Sequence, residues 1–208
     1  SLSCTKEKAI VNLDNLQEYL NANSRLIVDE VIACAASDEF DSEKSFVFYY
    51  PVIGASDVQY FETDNINVNE NNFSNYRKKE LTKEGVFNGY LERFIRIDDK
   101  EVWSIVTYKT KGKLHKSNPI RLKHQTKPTE WSTDLSIDLS QNTSPKFSWQ
   151  DGVSKENAIY FQVVTNSSNN LLSGTYTYDT WFQYYVLDNV VLNITRDTPS
   201  DLIIGNEY

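Results

Sequence analysis

Between Leu26 and Thr195 the sequence is a succession of short strand-forming runs, and nothing else limits the available folds as strongly. RLIVDEVIACAA and SFVFYYPVI are apolar and β-branched or aromatic, with Pro51 ending the second. SDVQYFET alternates, with Val58 and Tyr60 on one face. GVFNGYLERFIRI, EVWSIVTYKT and NPIRLKHQ follow, the last two joined by KGKLHKS, whose Gly112 suits a hairpin. DNINVNENNFSNYRKKE, by contrast, is polar and predicts a long surface connection. Beyond residues 126–132 the strand pattern resumes as LSIDLS, PKFSWQ, AIYFQVVT, LLSGTYTY, WFQYYV and NVVLNIT, with SSNN at 167–170 closing a hairpin. Short strands punctuated by turn signals predict an all-β chain of sandwich type.

One stretch breaks the pattern. In residues 6–23, KEKAIVNLDNLQEYLNAN, Ile10, Leu13, Leu16 and Leu20 recur at spacings of three and four with polar residues between, which predicts an amphipathic helix ending near Asn21–Asn23. The expected organisation is a tether or helix over 1–24, a first sandwich over 25–125, a linker at 126–132 stiffened by Pro128, and a second sandwich over 133–208.

The chain has 208 residues, enough for one large or two small domains, and 13% of them are aromatic, far from a disordered composition. Its formal charge of -8 repels phosphate backbones, so nucleic acid is not expected as a partner. No window holds the run of apolar residues that a membrane span needs.

Chemistry-bearing motifs are sparse. His115 and His124 flank one strand without a surrounding ligand pattern, and exposed loop positions are expected for both. There is no G-x-S-x-G elbow and no glycine-rich phosphate loop, so the sequence predicts no enzyme, cofactor or metal. The richest binding stretch is GTYTYDTWFQYYV, residues 174–186. On one continuous strand Tyr176, Tyr178, Phe182 and Tyr184 share a face, and Trp181 and Tyr185 lie on the other. Because a sandwich strand buries one face, either Asp179-Thr180 resets the alternation or some rings are exposed. Tyr176, Tyr178, Trp181 and Tyr185 are therefore the candidate ligand-binding residues, with a glycan or protein as ligand; packing within a core is the competing reading.

WSIVTYKTKGKLHKSNPIRLK resembles the closing F–G hairpin of a fibronectin type III domain, returning through Ser117-Asn118-Pro119-Ile120. SPKFSWQDG resembles that family's B strand, which implies a core position for Trp149. Leu202, Gly205 and Tyr208 match its L-x-x-G-x-x-Y corner, where the tyrosine hydroxyl bonds back to nearby backbone. The resemblance implies two fibronectin type III or immunoglobulin-like sandwiches in tandem. The corner normally introduces strands F and G, so the second sandwich is expected to lack them, either because more chain follows or because a strand-addition partner completes the C-terminal edge.

SLSCTKEK around Cys4 is similar to the cleavage junction of a bacterial lipoprotein, and the whole resembles Bacteroidetes-type surface lipoproteins. That implies an outer-membrane, cell-surface or periplasmic protein whose membrane contact is a lipid on Cys4; a disulfide between Cys4 and Cys34 is the alternative, and Cys34 is expected to be buried. N-x-S/T sequons at Asn72, Asn142, Asn166 and Asn193 leave a secreted glycoprotein as the rival location. The function implied is a non-enzymatic binding or adhesion module, or else an architectural spacer of a larger surface protein.

Overall fold

The computed structural model describes residues 11–29, 31–153 and 159–208. The chain is all-β with one short helix, and it divides into two compact units. The first comprises the chain to Glu84 and Arg93–Pro128; the second takes Gly85–Glu92 and Thr129–Tyr208.

Helix α1 (Leu16–Ala22) starts later than the periodicity suggests, because Asn15 caps it by accepting a hydrogen bond from the Glu18 N–H at 3.2 Å. Strands β1 (Ile27–Asp29), β2 (Ala33–Ser37), β3 (Lys44–Tyr49), β4 (Ser56–Glu62), β5 (Arg77–Lys79), β6 (Thr82–Val86), β7 (Leu91–Ile97), β8 (Trp103–Thr110), β9 (Lys113–Lys116) and β10 (Ile120–Arg121) follow. They make two sheets, β1-β9-β8-β4-β5 with β10 also on β8, and β2-β3-β7-β6. The second sheet order and its partner are compatible with an immunoglobulin-like sandwich. The β8–β9 hairpin turns on Lys111 and Gly112, both at positive φ (50° and 70°), the two-residue turn whose twist matches the strands it joins.

Between the sheets lies a core that includes Val47, Tyr49, Tyr60, Phe94, Val106 and Tyr108. The β4–β8 sheet is covered on its outer face too. Phe61, Ile105 and Leu114 alternate with the inner residues and pack against Leu16, Tyr19 and Leu20 of the helix and against Tyr76. The helix is thus part of the first unit's packing. Leu13 precedes the helix and is exposed, while Ile10 lies outside the described residues.

The asparagine-rich segment that delivers Tyr76 is ordered by its own side chains. Asn65, Asn69 and Asn72 each accept a hydrogen bond from the backbone N–H two residues on, at 2.8, 2.9 and 3.2 Å. These Asx turns carry the chain into a short 3-10 turn at Phe73–Asn75 and then β5, so the expected connection also contributes core.

A buried ion pair crosses the first sandwich. Arg96 Nε donates to Glu62 Oε2 at 2.7 Å, and the Tyr60 hydroxyl donates to the same oxygen at 2.9 Å. Burial, with Glu62 beside it, pushes the Tyr60 hydroxyl well above its ordinary range.

Three sequence expectations fail here. Cys34 is exposed, because β2 turns Ala33 and Ala35 into the core and Cys34 to the other face. His115 and His124 are buried: His115 stacks on Tyr108 at 5.5 Å, and His124 Nε2 lies 2.8 Å from the Asp98 carbonyl. His115 lies directly opposite Tyr108 in the β8–β9 pairing, so the two rings share a face of the sheet and the tyrosine covers the histidine. Cys4 lies outside the described residues.

The second unit contains β11 (Leu135–Asp138), β12 (Lys146–Trp149), β13 (Tyr160–Thr165), β14 (Leu171–Thr177), β15 (Trp181–Gln183) and β16 (Val190–Asn193). They form two three-stranded sheets, β11-β12-β15 and β13-β14-β16. Val164, Phe182, Tyr184 and Leu202 form the buried centre, with Phe147 and Trp149 half-buried against it.

A candidate interaction groove in the second unit

Strand β11 is the key to this unit. Its sequence alternates, Leu135, Ile137 and then Leu139 on one face and Ser136 and Asp138 on the other, the pattern of a strand with one buried side. In antiparallel register Leu135 lies opposite Trp149 and Ile137 opposite Phe147, which adds two aromatic rings to the same face. Yet Ile137 is 52% exposed and Leu139 59%. The inner face of the sheet is present and only part of it is covered.

What faces it is a groove of about 620 Å³, bordered by Ile137, Leu139 and Phe147 on one side and by Val163, Ile203 and Tyr208 among the residues opposite. A neighbouring recess of about 400 Å³ shares Phe147, Val163 and Val164 and reaches Trp149 and Phe161. No charged residue lines the groove. Strand β13 runs beside it. Because β14 is the central strand of its sheet, β13 is an edge, and among the described residues no strand pairs with its other side.

The corner at Leu202–Tyr208 closes one end. Leu202 inserts into the core, Gly205 makes the turn at φ +91°, and the Tyr208 hydroxyl accepts the Ile203 N–H at 2.9 Å. That bond is the backbone tie the motif implies. It leaves Ile203 and Ile204 on the surface beside the groove, 62% and 71% exposed.

The four aromatic candidates are placed elsewhere. The bend at residues 178–180 ends β14 and sends the chain to the other sheet as β15, so no single strand carries all the rings. Tyr176 is buried and stacks on Phe161 at 4.4 Å. Tyr178 stands in the bend and is exposed. Trp181 is half-buried with the Lys146 ammonium 4.3 Å from its ring. Tyr185 is half-buried, its hydroxyl accepting a hydrogen bond from Asn193 Nδ2 at 2.7 Å. The fold puts Tyr176 and Trp181 in different sheets and Tyr178 and Tyr185 outside any strand, and the groove is lined by other residues. LSIDLS predicts a strand, and its alternation signals an apolar face, though not that the face stays open.

Among the described residues no group of three or more His, Cys, Asp and Glu side chains is placed to hold a metal ion, and no helix is long and apolar enough to cross a membrane. Comparison with models of known protein families finds no match, and comparison with curated proteins finds none.

Proposed function

We propose that this chain is a non-catalytic, extracytoplasmic binding module of fibronectin type III or immunoglobulin-like type, carried at a membrane surface by a lipid on Cys4 and engaging a protein or glycan ligand through its second unit. The groove carries this reading. Ile137 on β11 and Leu139 just after it form an exposed apolar face along the groove, and such faces mark interaction surfaces in folded proteins. The strand orders of the first unit and the hydrogen-bonded corner at Tyr208 support the assignment to this class of sandwich.

The test is a selection for ligands on the whole chain, using a displayed peptide library and an immobilised glycan panel, with the double variant Ile137→Lys, Leu139→Lys run in parallel. Both positions are exposed, so circular dichroism melts of the variant should stay close to those of the wild type. A binding module yields ligands whose affinity falls about tenfold or more in the variant. Ligands absent for both proteins would instead identify the chain as an architectural spacer.

A further inference from the structure

We propose that Asn88-Gly89 is a self-modifying site that works as a one-way latch. While the Asn88 amide is clasped to the 166–170 hairpin it is protected from deamidation, and deamidation turns the clasp into a repulsion. The proposal is independent of the binding reading above and concerns another part of the second unit.

Asn88-Gly89 is the one Asn-Gly pair in the sequence. It sits at the centre of the turn between β6 and β7, which the Tyr90 N–H closes on the Phe87 carbonyl at 3.2 Å. Asn88 and Gly89 both have positive φ, 54° and 84°, as the two central residues of such a hairpin require. Phe87 also lies at positive φ, 52°, where an aromatic residue is strained, so contacts from outside the turn hold its shape.

The Asn88 side chain supplies such a contact. Its Nδ2 donates to the Ser168 carbonyl at 2.9 Å and to Asn170 Oδ1 at 2.7 Å, which uses both amide hydrogens. These acceptors belong to the tip of the β13–β14 hairpin. That tip is itself fixed by Asn166 Oδ1, which accepts the Ser168 and Asn170 N–H groups at 3.1 and 3.0 Å. Both turns lie within the second unit. Tyr90 anchors the first turn separately: its hydroxyl donates to the Ile194 carbonyl at 2.6 Å and accepts the Arg196 N–H at 2.7 Å. Loss of the Asn88 clasp therefore frees the tip of the turn and leaves its base attached.

Asparagine is chemically labile, and a following glycine has no side chain to crowd the attacking nitrogen. The Gly89 nitrogen loses its proton and bonds to Asn88 Cγ; the Cγ–Nδ2 bond breaks and ammonia leaves. The cyclic imide takes up water at either carbonyl and opens to aspartate or isoaspartate. No oxidant, cofactor or second protein enters the balance. The attack demands one orientation of the amide over the Gly89 nitrogen and the departure of Nδ2, and two fixed acceptors on Nδ2 oppose both. Afterwards a carboxylate oxygen faces the Ser168 carbonyl. The Asn170 amide can flip to donate, but the Ser168 carbonyl cannot, so one oxygen pair stays opposed. The new charge also enters an acidic environment. The second unit holds 3 of the 21 basic residues and 11 of the 29 acidic ones, while the first is balanced at 18 of each, so the whole net charge of -8 belongs to the second.

The test follows Asn88 in the whole chain by peptide mapping, which separates asparagine, aspartate and isoaspartate, during incubation at mildly alkaline pH. The intact chain converts at Asn88 at least about tenfold more slowly than the chain unfolded in guanidinium chloride. Asn170→Ala, which removes one acceptor, converts at least about threefold faster than wild type, and Asn170→Asp, which keeps an acceptor oxygen there, stays protected. Hydrogen exchange then reads the effect of the product. Asn88→Asp exchanges at residues 85–90 and 166–170 about tenfold or more faster than wild type, and faster than Asn88→Ala, which loses the clasp without gaining the charge. No conversion in the unfolded chain, or equal conversion in the intact and unfolded chains, overturns the proposal. So does Asn170→Ala converting like wild type, or Asn170→Asp converting like Asn170→Ala, since the clasp is then not the gate. Exchange in Asn88→Asp no faster than in Asn88→Ala leaves no repulsion and overturns the latch.

Discussion

Trp181 shows how much a single side chain's role depends on one bend. The change of direction at residues 178–180 moves it from the face opposite Tyr176 to the start of a strand in another sheet. There its ring is half-buried and lies under the Lys146 ammonium at 4.3 Å, across the β12–β15 pairing that sets Ser148 opposite Trp181. Trp181→Ala should therefore cost about 1–2 kcal/mol, the loss of partial burial and a cation–π contact, and less than the roughly 3–5 kcal/mol of a core aromatic. Urea unfolding of the variant beside wild type measures it; a loss in the core range would show that the ring is structural and carries no exposed contact surface. Buried polar side chains obey a stricter rule. Glu62 is tolerated within the first sandwich because Arg96 and the Tyr60 hydroxyl meet one of its oxygens, and Arg96 in turn donates to the carbonyls of Asp98 and Lys100 at 3.1 and 2.8 Å.

Helix α1 is short for a stable isolated helix, and it exists because the sheet beneath it needs cover. Leu16, Tyr19 and Leu20 fill the outer face of β4 and β8, and the Asn15 side chain both caps the helix and donates to the Ser74 carbonyl at 2.9 Å. Leu20→Ala should cost about 2–5 kcal/mol of first-unit stability, as a large-to-small change in a closed core does. A helix that merely tethered the domain would lose almost nothing, so chemical denaturation of this one variant separates the two roles. Strand β11 is the opposite case. It has the alternation of a buried strand without the burial, and the same periodicity that makes β4 a core strand makes β11 one wall of a groove.

Taken as a molecule, the chain keeps its two units electrically distinct: the first is neutral and the second carries the net -8. Like charges within one small unit repel, and salt screens them over about 10 Å at 0.1 M. In a Trp103→Phe variant the remaining tryptophans, Trp131, Trp149 and Trp181, all lie in the second unit, so their fluorescence follows its unfolding alone. Raising sodium chloride from about 0.05 to 0.5 M should increase that melting temperature by a few degrees. A fall would mean that favourable ion pairs outweigh the repulsion.

The sequence by itself determined the all-β class, because period-two runs bounded by turn residues leave no other way to bury their apolar sides. It also determined local closures that depend on a few neighbouring residues: the Lys111-Gly112 hairpin and the Tyr208 hydroxyl on the Ile203 N–H. Tertiary structure alone decided which apolar faces found a partner. Nothing local distinguishes Ile105, closed over by a helix from elsewhere in the chain, from Ile137, left half open. It likewise buried His115 and exposed Cys34 against their neighbourhoods. Periodicity fixes which side of a strand is apolar, but burial is a property of what arrives on that side, and that is set by contacts between residues far apart in the sequence.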